Sequence, residues 1–129
     1  MKRLILFSLT LLLIAGVVYA KGYEVKKKVG EYEVEVKIDK NPPVVGDNNI
    51  EIEIKDASGR NVTDAKVIVE YSMPAMPGMP PMNYKTDTTL KGNEYMATMN
   101  LSMSGPWNIV IRITRSGKTS TMKFTVDAK

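Results

Sequence analysis

The sequence predicts an all-β protein: an immunoglobulin-like β-sandwich of seven to eight strands, preceded by a signal peptide. Three observations carry that expectation. From Lys21 onward the dominant hydrophobic period is two, turn residues punctuate it at short intervals, and no stretch carries a convincing helical period. A period of two puts apolar side chains on one face of a strand and polar ones on the other. Several such strands cover a core only by packing two sheets face to face.

The first twenty residues stand apart. Lys2 and Arg3 form a short basic region, Leu4 to Val18 is apolar, and Val18-Tyr19-Ala20 offers a small-x-small cleavage site. That is the anatomy of a secretory signal peptide cleaved after Ala20. The competing reading is an uncleaved membrane anchor, since the run lies near the lower length limit for a span. No cysteine follows the run, which excludes lipid attachment through a lipobox. The expected division is therefore residues 1–20 as signal peptide and 21–129 as one domain. Its expected location is extracytoplasmic, periplasmic or secreted, with membrane attachment only through an uncleaved signal.

The strands follow in order. Tyr23, Val25, Lys27 and Val29 form the first alternating set, in which Lys26-Lys27-Lys28 reads as an exposed edge. After Gly30, Tyr32, Val34, Val36 and Ile38 alternate with Glu31, Glu33, Glu35 and Lys37. Asn41-Pro42-Pro43 and Gly46-Asp47-Asn48-Asn49 break the run, and Ile50, Ile52 and Ile54 resume it. Asp56-Ala57-Ser58-Gly59-Arg60 is a turn, after which Ala65, Val67, Val69 and Tyr71 alternate. Tyr84 to Leu90 is Thr-rich and weakly periodic, a strand candidate closed by Lys91-Gly92-Asn93. Tyr95, Ala97, Met99, Leu101 and Met103 share a face. Trp107, Ile109, Ile111 and Ile113 make another, and a Ser116-Gly117 hairpin leads to Met122, Phe124 and Val126.

Between the fourth and fifth sets lies Ser72 to Asn83, S-M-P-A-M-P-G-M-P-P-M-N, with Met73, Met76, Met79 and Met82 at every third residue. Proline favours polyproline II geometry for itself and extended geometry for the residue before it. A polyproline II helix has three residues per turn, so the spacing predicts a stiff extended loop with four thioethers along one edge. Neighbouring sulfurs on such an edge stand about 9 Å apart, too far to share one ion. A single site requires a bend, most easily at Gly78, or sulfur from Met96, Met99 or Met103. Trp107 could add a cation–π contact if it borders the site.

Composition narrows the chemistry. The 129 residues hold 18 basic and 14 acidic side chains; without residues 1–20 the balance is 16 to 14, or +2. That is not a nucleic-acid balance. Cysteine and histidine are both absent, so disulfides, thiol nucleophiles, imidazole bases and the usual zinc sites are excluded. No phosphate loop or nucleophile elbow occurs, and the carboxylates fall mostly on outward strand faces; an enzyme is not expected. Thioether sulfur remains. It is a soft ligand that favours Cu(I), and it binds without losing a proton. Methionine is also an adaptable apolar filler and a good protein-binding surface. Met99, Met103, Trp107 and Met122 read more naturally as core; the four loop methionines have no evident core assignment.

The order Asp56-x-x-Gly59, Asp64-Ala65-x-Val67, Met73-Pro74-x-Met76-Pro77, Gly92-x-x-Tyr95-x-Ala97 and Met103-x-Gly105-x-Trp107 resembles the YtkA-like family, small extracytoplasmic domains related to the FixH-like group. The resemblance covers roughly residues 31–127 and implies an immunoglobulin-like sandwich associated with copper handling. That handling is either delivery during cytochrome oxidase assembly or heavy-metal efflux. It also implies that Met73, Met76 and Met103 are the family's conspicuous methionines. The expectation is a non-catalytic Cu(I) carrier using Met73, Met76, Met79, Met82 and Met103, with Met96, Met99 and Trp107 as secondary candidates. It passes copper to an envelope partner such as an oxidase subunit or a metal efflux component. The alternative is a metal-free accessory module docking through the same loop.

Overall fold

The computed structural model describes residues 22–129. The signal peptide expected at residues 1–20 lies outside the described residues. Among the described residues nine strands run in chain order: β1 (Tyr23–Val29), β2 (Tyr32–Ile38), β3 (Gly46–Lys55), β4 (Lys66–Met73), β5 (Met82–Asp87), β6 (Thr89–Lys91), β7 (Glu94–Leu101), β8 (Gly105–Arg115) and β9 (Lys118–Ala128). They form two antiparallel sheets, ordered β1-β2-β3-β7-β6 and β5-β4-β8-β9. With β1 set aside, this is the ABED and C′CFG arrangement of an immunoglobulin-like sandwich.

The alternation read in the sequence becomes the burial pattern. Val34, Val36, Ile50, Ile52, Ile54, Val69, Ile109, Ile111 and Ile113 are all fully buried between the sheets. Met99, Met122 and Trp107 join them, as their faces required. Two polar devices pin the connections. The Tyr95 hydroxyl donates to the Val62 carbonyl (2.8 Å) and accepts from the Ala65 amide (3.1 Å), tying β7 to the β3–β4 connection. The buried Asn48 side chain accepts from the Val44 amide (2.9 Å) and donates to the Val44 and Gly46 carbonyls (2.7 and 3.1 Å). Among the described residues no buried side-chain polar atom lacks a partner.

The count exceeds seven to eight because Tyr84 to Leu90 is not one strand. β5 ends at Asp87 on the four-stranded sheet, and β6 begins at Thr89 on the five-stranded one. The chain changes sheets at Thr88, whose hydroxyl donates to the Val67 carbonyl at 2.8 Å. Both strands are edges, so neither needs a strict apolar face, and the weak periodicity follows.

The larger correction concerns the methionine segment, which is a β-hairpin and not an extended polyproline II edge. β4 runs through Met73 and β5 starts at Met82, with Met73 opposite Met82. Further out, Met76 and Met79 exchange both backbone hydrogen bonds (3.1 and 2.8 Å) around Pro77-Gly78. Proline second and glycine third, with Gly78 at φ 80°, is the composition of a type II turn. Type II turns splay hairpin strands, and Pro74, Pro80 and Pro81 cannot donate to a ladder. Regular pairing therefore lapses between the two methionine pairs. The bend falls at Gly78, where the sequence allowed it most easily.

Candidate functional site

The four hairpin methionines are symmetrical about the Pro77–Gly78 turn, so their spacing of three folds into two cross-strand rungs. Directly opposed residues of an antiparallel pair hold their Cβ atoms about 5 Å apart. Methionine has three rotatable bonds beyond that, so the two sulfurs of one rung can meet on one ion. The rungs themselves lie about 10 Å apart along the hairpin. The segment thus offers two sulfur pairs in place of a row of four single ligands.

The rungs differ in environment. Met73 is 1% exposed and belongs to the core cluster, with Met82 partly buried against it. The burial of Met73 corrects the expectation that all four loop methionines stand outside the core; as the last inward-facing residue of β4, it continues the face of Val67, Val69 and Tyr71. Met76 and Met79, at the tip, are 37% and 36% exposed. No charged side chain occurs between Ser72 and Asn83.

The β7–β8 connection closes over the inner rung. The Ser102 hydroxyl lies 3.4 Å from the Met82 sulfur, within hydrogen-bonding distance. A Cβ placed on Gly105 would come within 3.3 Å of the Met73 terminal methyl. Met103 lies between Ser102 and Gly105 in the chain and is partly buried against the core. Its carbonyl accepts from the Trp107 indole nitrogen at 2.9 Å, which ties the connection to the start of β8. The spacing Met-x-Gly-x-Trp thereby acquires physical content. Gly105 adopts φ 121° under the Met73 methyl, and Trp107 reaches back four residues to hold Met103. Met73, Met82 and Met103 form the candidate three-sulfur set.

The secondary candidates divide. Trp107 is fully buried, with Tyr71 and Tyr84 rings 6.1 Å away, and Tyr84 stacks on Tyr71 at 5.4 Å. It forms the aromatic floor beside the inner rung and reaches Met103 through its carbonyl. Met99 is fully buried within β7, one strand position below Leu101, and fills the core. Met96 lies on the alternate face of β7, opposite Glu51 of β3 and Thr89 of β6. It is seven residues from Met103, roughly 20 Å along an extended chain, and is not brought to the hairpin.

Two residues of the site carried no sequence signal by themselves. Tyr84, 41% exposed, follows Met82 by two residues on β5, and the Ser102 hydroxyl lies against the Met82 sulfur. Hairpin symmetry about Pro77–Gly78 would have paired Tyr84 with Tyr71, as observed. Nothing in the sequence singles out Ser102. Among the described residues no three His, Cys, Asp or Glu side chains converge as a metal-binding group. Charges lie on the outward face of the four-stranded sheet, at Glu70, Lys85 and Arg112. There Arg112 donates to Glu70 at 2.7 Å and holds its carboxyl below the ordinary range.

The fold and this end of the molecule define a small all-β domain of immunoglobulin-like topology with a methionine hairpin capping one end. A family model described as YtkA-like matches residues 25–112, and the chain belongs to that family. No curated protein and no solved structure matches it.

Proposed function

We propose that this YtkA-like protein is an exported, non-catalytic carrier of Cu(I). It takes copper on methionines of the hairpin and yields it to an envelope partner, such as an oxidase subunit or a metal efflux component. The observation that supports this most is the cross-strand pairing of Met73 with Met82, beside the segment that bears Met103. Three neutral thioethers suit a soft monovalent ion, and a shell without thiolate or imidazole holds it loosely enough to give it up. Copper is cargo here, and the protein supplies position.

Anaerobic titration with Cu(I) against a competing chelator tests the reading. The parent takes up copper from the chelator, and a variant with Met73, Met76, Met79 and Met82 all changed to Leu does not. A parent that takes none overturns it.

One observation favours a second reading, a metal-free accessory module. Met76, Met79 and Tyr84 are exposed apolar side chains beside an uncharged, proline-stiffened tip, a surface suited to docking. On that reading the Leu variant binds no less well to a partner, because leucine keeps the apolar area.

A further inference from the structure

The two rungs differ in a property that decides how a metal can be exchanged. Ligand exchange at copper requires the incoming donor atom to touch the ion before the outgoing one has fully left. Met73 is 1% exposed, Met103 is partly buried, and the Ser102–Gly105 connection closes over them. Met82 is partly buried as well, so this inner set is more screened than the tip. Met76 and Met79 are 37% and 36% exposed, and their strands are clamped by two backbone hydrogen bonds.

Resting on the carrier reading above, we infer that the Met76/Met79 rung is a separate exchange port. Cu(I) passes through it between a partner's donor and the more enclosed Met73/Met82/Met103 set. Each transfer replaces one thioether by another; no electron moves and no proton is released, because every ligand is neutral. The rungs lie about 10 Å apart along the backbone, and each methionine side chain has three rotatable bonds with which to reach across that span. The proline frame serves the same end. Pro74, Pro77, Pro80 and Pro81 restrict the tip backbone before a partner arrives, so little ordering cost falls on the encounter.

The test uses Cu(I) and the chelator bicinchoninate, with anaerobic equilibrium titration and stopped-flow release on the same samples. The parent is expected to hold two equivalents, the second more weakly. The variant M76L/M79L is expected to hold one, and to release it to the chelator about tenfold or more slowly than the parent. M73L/M82L/M103L is expected to keep one weakly held, rapidly released equivalent. Release from M76L/M79L at the parent's rate overturns the port, as does loss of all binding in that variant. A parent that binds no copper overturns the carrier reading and the port with it, a result distinct from unaltered exchange. The tip substitutions replace exposed side chains, so unchanged thermal unfolding of M76L/M79L serves as the folding control.

Discussion

The terminal methyl of Met73 lies against Gly105, so close that a Cβ on residue 105 would approach it to 3.3 Å. Two constraints meet there, steric and conformational, and they are separable. The methyl is the far end of a flexible side chain and can move by a few tenths of an ångström. The backbone at φ 121° cannot relax so easily. G105A is therefore expected to destabilise the protein by roughly 1–3 kcal/mol, almost all of it backbone strain. Denaturant unfolding of G105A and of G105A/M73A checks this: shortening Met73 should not rescue the first substitution.

Trp107 holds Met103 through its indole nitrogen, 2.9 Å from the Met103 carbonyl. W107F keeps an aromatic ring in the core and removes that donor. The lost hydrogen bond costs about 1 kcal/mol, with a further loss from the smaller ring. If Met103 serves the inner copper set, Cu(I) affinity should fall together with stability in W107F. It should fall little in an equally destabilised variant at a distant core position such as I54V.

Tyr95 predicts a pH dependence. Burial raises its hydroxyl above the ordinary value of 10.0, because the phenolate would lose water and gain no new donor beyond the Ala65 amide. A raised pKa means that the folded state holds the proton more tightly than the unfolded chain. The associated stability is complete below about pH 10 and is lost as pH climbs through the folded value. Y95F should lower stability by roughly 1–3 kcal/mol near neutrality, since the Val62 carbonyl and Ala65 amide lose their partner. The gap between parent and Y95F should narrow in alkaline denaturation curves.

Copper binding should show no such dependence. Thioethers carry no proton to lose, and the chain has no histidine or cysteine to add one. Cu(I) affinity measured from about pH 5 to 8 is expected to stay flat within a factor of about two. A tenfold rise over that range would point to a titrating ligand and away from the methionines.

Much of the fold was legible in the sequence because burial imposes a strict period on central strands. Ile50, Ile52 and Ile54 in β3, and Trp107, Ile109, Ile111 and Ile113 in β8, face the core as their alternation required. Edge strands carry weaker demands, and the division of Tyr84 to Leu90 between two sheets was not readable for that reason. The methionine segment was misread through a real ambiguity. A spacing of three fits a polyproline II edge, and it also fits a hairpin whose centre falls midway between Met76 and Met79. The Pro77-Gly78 pair was the signal that separates the two, and four prolines obscured it. Met103 was marked by its motif, while the contact beside it, Gly105 beneath Met73, joins the start of β8 to the end of β4 and is visible only in three dimensions.

The most direct measurement is X-ray absorption at the copper edge on protein loaded anaerobically with one equivalent of Cu(I). The account predicts a shell of three sulfur atoms in the parent, falling to two in M73L/M82L/M103L, where only the Met76/Met79 rung remains. A shell dominated by nitrogen or oxygen, or one that those substitutions leave unchanged, would contradict it.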